Sequence, residues 1–171
     1  MFIYVSSLGQ DSHRFVDEAG PAGTSERVLM LGGVAIPGAP ALDGNSDADV
    51  ILHAVANAVS GLTGVNILGS RADTLCRAGI TDSVVYLQEA MSELGDWQLL
   101  HCSLSLEGCR PKLAPYIADI RRRLAELLGL EIRQIGLTAT SGEALTAFGR
   151  GEGIQVFCTL SARRPDTTGP E

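Results

Sequence analysis

Two residues near the amino terminus are candidates for binding a metal ion. Asp11 and His13 are separated by a single residue and follow shortly after the apolar run FIYVSSL. Side chains alternate along an extended chain, so both would point to the same side and could contact one ion. A carboxylate oxygen and an imidazole nitrogen suit zinc or another divalent cation, with a third protein ligand completing an open catalytic site. A surface turn is the alternative, because this spacing also occurs by chance.

His53 is the candidate for a third ligand. It falls on the polar face of a predicted helix that begins at Ser46, where Ser46 and Asp49 form a capping box ahead of an apolar stripe. Asp49, one turn before His53, is positioned to accept a hydrogen bond from its ring. The alternative is a solvated residue on a polar helix face, since only the fold can bring positions 13 and 53 together.

Two further stretches are candidates for binding an anion. Lys112 follows Pro111 at the predicted start of a helix, where backbone amides and a cation together suit a phosphate. The stretch Gly149–Gly153 contains three glycines and Arg150, a bidentate donor. It matches neither the dinucleotide-binding nor the P-loop spacing, and a tight turn is the alternative. Basic residues near helix starts are common, so neither stretch identifies a ligand by itself.

These residues have to be positioned by an alternation of strands and helices. We predict strands at FIYVSS, at RVLMLGGVAI with its Gly-Gly turn, and at WQLLHCSLSLE, QIGLTAT and GIQVFCTLSA. After the helix from Ser46, a second begins at Thr81 or Asp82 and ends at Gly95, and a third follows Pro111 and ends at Gly129. The stretch 16–26 is a predicted polar loop, and 63–79 is a predicted mobile connection without a helix.

This pattern predicts one domain of the α/β (α+β) class, with helices packed on one face of a mixed β-sheet. The chain of 171 residues with 45% hydrophobic content is long enough for a full core. The domain is expected to cover residues 1–162, and the polar tail 163–171 is expected to be disordered. The four cysteines have no C-x-x-C spacing and are interpreted as buried, reduced thiols.

The charge and the amino terminus exclude several classes of function. The net charge is -7, which disfavours sequence-independent binding to the backbone of nucleic acids. If the protein binds phosphates, it needs metal ions to offset its own charge. No apolar window approaches about 20 residues, and the start of the chain lacks a basic secretory signal, so we expect no membrane insertion and a cytoplasmic location.

Five blocks of the sequence, in order, extend these fragments over most of the chain: GQDSHRF, MLGGVAIP, SDADVILHA, RPKLAPYI and TATSGEALTAFGRGEGI. Together they resemble the 2-C-methyl-D-erythritol 2,4-cyclodiphosphate synthase family of the non-mevalonate isoprenoid pathway. The blocks S-D-x-D-x-x-x-H-A and G-R-G-E-G-I are the specific ones. The resemblance implies conversion of 4-diphosphocytidyl-2-C-methyl-D-erythritol 2-phosphate to the cyclic diphosphate with release of CMP. It also implies a homotrimer with sheets around the threefold axis and active sites between subunits.

The resemblance also implies which residues act. A zinc-type ion is expected at Asp11, His13 and His53, and a magnesium or manganese ion at Glu143 and the substrate diphosphate. Asn45 and Ser141 are expected to be catalytic. The implied substrate contacts, some of which are also metal ligands or catalytic, lie in the five blocks and in the segment after the first helix: Asp11, His13, Ser46, Asp47, Asn66, Gly69, Pro111, Lys112, Leu113, Ala139, Thr140, Ser141, Glu143, Phe148 and Arg150.

Some positions depart from the family pattern. Asn45 stands where the family usually has a histidine that is thought to stabilise the transition state, and Ser141 stands where threonine is usual. The segment GVNILGSRADTL differs from the usual loop of the family. Phe148 comes one position later than the family's aromatic residue. With Arg150, it is expected to bind an isoprenoid diphosphate on the trimer axis. Two alternatives remain open: a divergent metal-dependent phosphohydrolase, and a non-catalytic trimer that binds a metal or an isoprenoid diphosphate.

Overall fold

A computed structural model describes residues 1–16 and 27–167. The chain forms six strands, four α-helices and two short 3-10 helices within these residues, and the predicted polar loop lies outside them except for its first residue. In chain order the elements are β1 (Phe2–Arg14), β2 (Leu29–Leu31), β3 (Val34–Ile36), α1 (Val50–Thr63), α2 (Ser70–Arg77), α3 (Ser83–Ser92), β4 (Gln98–Glu107), α4 (Ile117–Leu128), β5 (Ile135–Thr140) and β6 (Gly153–Pro165). None of these helices is long and apolar enough to cross a membrane.

The central sheet is mixed and has four strands in the order β1-β6-β4-β5. β6 pairs antiparallel with both β1 and β4, whereas β4 and β5 run parallel, and α4 lies in the long crossover connection that parallel strands need. β2 and β3 form a separate short hairpin around Gly32 and Gly33. The prediction of a single α+β domain with a mixed sheet is confirmed.

The sheet buries one face and exposes the other. Along β6, Val156, Cys158 and Leu160 are fully buried beneath the helices. Residues that point the opposite way are exposed, with 64% of the surface of Leu8 and 40% of Phe157 accessible. Strand alternation accounts for this pattern, and an apolar side chain left open on a sheet face marks a surface that can pack against another molecule.

Helix α1 begins four residues later than predicted. Its N-cap is Asp49, whose carboxylate accepts hydrogen bonds from the N–H groups of Ile51 and Leu52, both at 3.1 Å. The same carboxylate accepts from Gly32 N at 2.8 Å and Gly33 N at 2.7 Å. The capping box from Ser46 is therefore wrong, and Asp49 is engaged with backbone donors rather than with the His53 ring.

Gly9 allows α1 to lie directly against β1. A Cβ atom at this position would meet the carbonyl oxygen of Ala54 and the nitrogen of Ala58, and would lie 2.9 Å from Ala58 Cα. Two hydrogen bonds fasten the same contact, from Ser7 Oγ to the Ala58 carbonyl at 2.7 Å and from Asn57 Nδ2 to the Gln10 carbonyl at 2.9 Å. This close approach fixes the distance between the strand and the helix.

Three other predictions about helices have different outcomes. The segment 63–79 contains α2, which buries no residue and is therefore invisible to hydrophobic periodicity. The second predicted helix is confirmed as α3, with Asp82 as its N-cap, but it ends at Ser92 rather than at Gly95. The third, α4, begins only at Ile117 and ends at Gly129 as predicted, so Lys112 precedes the helix instead of standing at its start.

The carboxyl-terminal boundary and the cysteines also differ from expectation. β6 extends through Pro165, which pairs with Phe2, so 163–165 form part of the sheet rather than a disordered tail. Residues 168–171 lie outside the described part of the chain. All four cysteines are free, but only two are buried, Cys102 and Cys158; Cys76 is half-buried and Cys109 is exposed, so the prediction of four buried thiols is wrong for these two.

Candidate active site

Three side chains from β1 and α1 place their ligand atoms within a small triangle. Asp11 Oδ2 lies 2.9 Å from His53 Nδ1 and 3.1 Å from His13 Nε2, and the two imidazole nitrogens are 3.3 Å apart. Asp11 and His13 are on the same side of β1, as strand alternation predicts. Among the described residues this is the one group of such side chains that could hold a metal ion.

The size of the triangle fits a zinc ion. Tetrahedral zinc holds nitrogen and oxygen ligands at about 2.0–2.1 Å, which separates neighbouring donor atoms by about 3.3 Å. The observed distances of 2.9, 3.1 and 3.3 Å are close to that value. Two imidazoles and one carboxylate leave a fourth position for a substrate oxygen, which is the pattern of a catalytic rather than a structural zinc site.

The outer nitrogens of both histidines have hydrogen-bond partners. His13 Nδ1 lies 2.7 Å from the Asp43 carbonyl oxygen, which can only accept, so this nitrogen carries a proton and Nε2 is the nitrogen that can present a lone pair to a metal ion. His53 Nε2 lies 2.9 Å from Ser83 Oγ and 3.5 Å from Ser46 Oγ. Both rings are therefore held in orientations that point one nitrogen at the shared centre.

The electrostatics of the triangle favour a cation. Burial would raise the pKa of Asp11, but the hydrogen bonds and charges of His13 and His53 outweigh it and hold the pKa of this carboxyl well below its usual range. Asp11 therefore remains an ionised carboxylate. The hydrogen bond to Asp11 raises the pKa of His13, although burial opposes it. A metal ion at this site competes with the proton on His13.

The triangle opens into a cavity of about 390 Å³. Among the residues implied by the resemblance, Asn45, Ser46, Asn66 and Gly69 line it beside the three ligands. Asp47 is not among the lining residues; its carboxylate accepts hydrogen bonds from the backbone N–H and the hydroxyl of Ser83. The wall also contains residues that the implied set does not include: Asn57, Leu68, Ala72, Asp73, Cys76 and Tyr86.

The thiol of Cys76 donates a hydrogen bond to the backbone carbonyl of Asn45, the residue that stands in place of the family's histidine. Cys76 Sγ lies 3.2 Å from the Asn45 carbonyl oxygen, and both residues line the cavity. Cys76 belongs to α2, so this bond connects the exposed helix to the loop before α1. The Asn45 amide remains available to a ligand because the contact uses only its backbone.

A second cavity, of about 300 Å³, holds most of the remaining implied contacts. It is formed where the loop after β4 faces the end of β5. The lining residues shared with the implied set are Pro111, Lys112, Leu113, Ala139, Thr140 and Ser141. The two cavities have no lining residue in common. Within one chain, the structure therefore brings the implied residues together as two separate groups.

Glu143 lies in the turn after β5 and is not part of the metal-ligand triangle. Its φ is 47° and that of Ala144 is 61°, left-handed conformations that non-glycine residues rarely adopt. Such strained residues concentrate at ligand-binding and catalytic sites. The Ser141 hydroxyl, 3.5 Å from Glu143 N, caps this turn. Glu143 itself lines neither cavity; it comes two residues after Ser141, which lines the second.

Phe148 and Arg150 belong to a tight turn that leads into β6. The N–H of Arg150 bonds the Thr146 carbonyl at 2.9 Å, and the N–H of Gly151 bonds the Phe148 carbonyl at 3.0 Å. The glycine-rich stretch therefore forms the tight turn given above as the alternative, and binding of an anion there stays a prediction. The Arg150 guanidinium is exposed and pairs with Glu152 at 3.1 Å.

Ser83 is the residue beside the triangle that sequence reasoning missed. It is fully buried, yet its hydroxyl contacts both His53 and Asp47. No local motif signals this role, because the three residues come from separate parts of the chain. Its position directly after the helix N-cap Asp82 was the single available cue, and it indicates only the start of a helix.

Comparison with known proteins decides the family. The profile described as the YgbB family matches residues 4–163, which is nearly the whole chain. The chain belongs to the YgbB family. A protein of Chlamydia trachomatis named 2-C-methyl-D-erythritol 2,4-cyclodiphosphate synthase is 46% identical over 162 residues, which cover 94% of this chain and 88% of that protein.

Solved structures of similar proteins agree with this assignment. A 2C-methyl-D-erythritol-2,4-cyclodiphosphate synthase in a CDP-bound form is 30% identical, with a TM-score of 0.76 over 92% of this chain and 99% of its own. The bifunctional IspDF of Campylobacter jejuni is 26% identical, with a TM-score of 0.84. That match covers 99% of the present chain but 44% of the bifunctional one, so the chain spans less than half of its length.

Proposed function

We propose that the protein converts 4-diphosphocytidyl-2-C-methyl-D-erythritol 2-phosphate to 2-C-methyl-D-erythritol 2,4-cyclodiphosphate and releases CMP. Membership of the YgbB family, with relatives of that name at 46% identity, is the observation that carries the proposal. The triangle of Asp11, His13 and His53 beside an open cavity supports it. The protein is accordingly an enzyme of the phosphorus-oxygen lyase type.

The reaction needs orientation and charge neutralisation rather than a protein nucleophile. An oxygen of the 2-phosphate forms a bond to the β-phosphorus, and the bond from that phosphorus to the oxygen bridging the α-phosphate breaks. The bridging oxygen keeps the electron pair and leaves with CMP, so no water is consumed. Phosphoryl transfer of this kind depends on holding the attacking and leaving oxygens in line.

Asp11, His13 and His53 would hold a zinc-type ion, and Glu143 would hold a magnesium or manganese ion together with the substrate diphosphate. The fit rests on the donor distances of the triangle and on the preference of magnesium for a carboxylate combined with phosphates. When bound, such ions supply Lewis-acid stabilisation of phosphoryl oxygens and offset the net charge of -7 that would otherwise disfavour a highly anionic substrate.

The chain's own residues would orient the substrate from both cavities. The Asn45 amide can donate a hydrogen bond to a phosphoryl oxygen but cannot carry a positive charge. In the second cavity, Lys112 would attract the phosphates while the Ser141 hydroxyl donates to them. The backbone around Pro111 and Ala139 would then surround the cytidine.

We propose that three copies of the chain complete the active sites. The metal ligands line the first cavity, whereas Ser141, two residues before Glu143, lines the second, so a neighbouring copy would bring its Glu143 turn to the first cavity. The exposed sheet face with Tyr4, Leu8 and Phe157 supplies an apolar surface for that contact, with sheets facing a threefold axis. Sedimentation equilibrium should then give three times the chain mass of 18.0 kDa.

The activity can be tested directly on the purified protein. Incubation with the cytidylylated substrate, zinc and magnesium should release CMP and give a product whose mass is that of the cyclic diphosphate. The Asp11→Asn variant is the matched control, because it keeps the side-chain shape while it removes the charge that binds the ion. It should release little CMP.

The product mass distinguishes the alternatives. A product heavier by one water would identify a metal-dependent phosphohydrolase. Absence of both CMP and product, with metal bound, would contradict the cyclase proposal and favour the non-catalytic binding protein. Loss of turnover in His53→Ala with an intact trimer would count against that last alternative.

A further inference from the structure

A buried hydrogen-bond chain runs outward from the metal-ligand triangle. The Ser83 hydroxyl lies 2.9 Å from His53 Nε2 and also bonds the carboxylate of Asp47. His53 is 7% exposed and Ser83 is fully buried, so water does not replace these contacts. The chain therefore links a metal ligand in α1 to the first residue of α3 and to the loop before α1.

The direction of these hydrogen bonds follows from the chemistry of the groups. An ionised carboxylate only accepts, so the single Ser83 hydroxyl proton goes to Asp47. The hydroxyl oxygen can then only accept from His53, which places a proton on Nε2. Nδ1 is then the nitrogen that can present its lone pair to a metal ion between Asp11 and His13, in place of the hydrogen bond it makes to Asp11 in the metal-free protein. This is the tautomer that a metal ion at the triangle requires.

Asp47 is held in place for this role. Its Oδ1 accepts from Asp49 N at 3.2 Å, its Oδ2 accepts from Ser83 N at 3.2 Å, and its own N–H bonds the Thr81 carbonyl at 2.8 Å. These bonds join the start of α3 to the start of α1. The carboxylate consequently cannot rotate away from the Ser83 hydroxyl without breaking several other contacts.

We propose that Ser83, supported by Asp47, is a positioning residue that fixes the ring orientation and tautomer of His53 and thereby sets the metal affinity of the site. The inference rests on the proposed metal site. Without the hydroxyl, Nε2 is left with the long 3.5 Å contact to Ser46 Oγ, which holds the ring orientation and the Nε2 proton far more weakly. Loss of comparable partners of metal ligands lowers metal affinity by about 10- to 100-fold.

The test uses the full chain, freed of metal, and measures zinc affinity by competition with a chromophoric chelator. Ser83→Ala removes one oxygen atom and adds no bulk, so it retains the fold. Ser83→Thr keeps the hydroxyl. Ser60→Ala is the matched control, because Ser60 is also buried and hydrogen-bonded, to Ile67 N at 3.4 Å, but does not contact a metal ligand. The absorption spectrum of the cobalt-substituted protein reports ligand geometry independently.

The expected result is a zinc dissociation constant about 10- to 100-fold higher in Ser83→Ala and within about threefold of wild type in Ser83→Thr and Ser60→Ala. The cobalt spectrum should change in Ser83→Ala alone. Urea denaturation of the metal-free variants measures any loss of stability caused by the substitution. A substitution that affects stability alone would leave the zinc affinity and the cobalt spectrum unchanged.

Two results would overturn the inference, and they differ. If wild type binds zinc and Ser83→Ala binds it equally well, the positioning role is wrong while the metal site stands. If the wild-type protein binds no zinc at all, the proposed metal site fails, and the positioning role fails with it.

Discussion

Substitution of Gly9 by alanine should disturb both the stability and the metal site, because this glycine sets the distance between β1 and α1. The new Cβ would lie 2.9 Å from Ala58 Cα, whereas ordinary contacts begin at 3.4 Å, so α1 has to retreat by at least about 0.5 Å (3.4 − 2.9). The clashes with the Ala54 carbonyl oxygen and the Ala58 nitrogen are closer still and require a larger shift of α1. Since these are backbone atoms, no side-chain rotation relieves them.

The size of the effect follows from this displacement. Overpacking of a core costs about 1–3 kcal/mol, and the upper end applies here because the helix itself has to move. His53 moves with α1, while Asp11 and His13 stay on β1. A shift of about 0.5 Å exceeds the tolerance of about 0.2 Å in metal-ligand distances, so we expect a loss of zinc affinity of at least about 10-fold.

Urea denaturation of the metal-free protein measures the first effect, and a chelator competition measures the second. Gly61→Ala is the matched control. A Cβ at Gly61, in α1, would lie 3.6 Å from Ser7 Cβ and from the Leu8 carbonyl oxygen, which is ordinary contact. That variant should gain about 0.5–1 kcal/mol, because glycine is unfavourable within a helix. If Gly9→Ala matched wild type in both measurements, the reasoning about the strand-helix distance would be refuted.

Three further outcomes are expected. Asn45→His should raise kcat without changing zinc affinity, measured by CMP release, since it adds a chargeable donor; an unchanged kcat would mean that the site has compensated. Asp49→Ala should lower the free energy of unfolding by about 3 kcal/mol or more, because it leaves four backbone N–H groups without their acceptor. For the metal-free protein, the Asp11–His13 pair should contribute fully to stability between pH 3.8 and 6.5, the ordinary pKa values of the two side chains in an unfolded chain. The contribution should fall as pH rises through the raised pKa of His13, or falls through the lowered pKa of Asp11. The free energy of unfolding of wild type and of His13→Gln is measured from below pH 3.8 to above pH 6.5. If the difference between the two does not change with pH, this expectation is contradicted.

The candidate metal-binding part of the site was accessible to sequence reasoning because it uses regular geometry. Strand alternation alone places Asp11 and His13 on one side of β1, and their shared contact at 3.1 Å agrees with it. His53 required the resemblance, since its position relative to β1 depends on how α1 packs. The glycine at position 9, which allows that packing, has no recognisable signal in a single sequence.

Other features depend on tertiary contacts that no local pattern encodes. Asp49 caps α1 in place of Ser46, because its carboxylate also bonds the backbone of the β2–β3 turn at Gly32 and Gly33. Helix α2 has no buried residue, so it lacks the apolar stripe on which helix prediction relies. Ser83 becomes a partner of His53 only after α1 and α3 have packed together.

The separation of the two cavities within one chain has a genetic consequence. If each active site combines the metal ligands of one subunit with Glu143 of the next, two different inactive subunits can repair each other. In any ring of three that contains both His53→Ala and Glu143→Ala subunits, one of the three interfaces receives both intact halves. Random mixing of equal amounts should therefore restore about a quarter of wild-type activity, and neither variant alone should show any. Two defective copies of this gene would then together supply activity that neither supplies by itself.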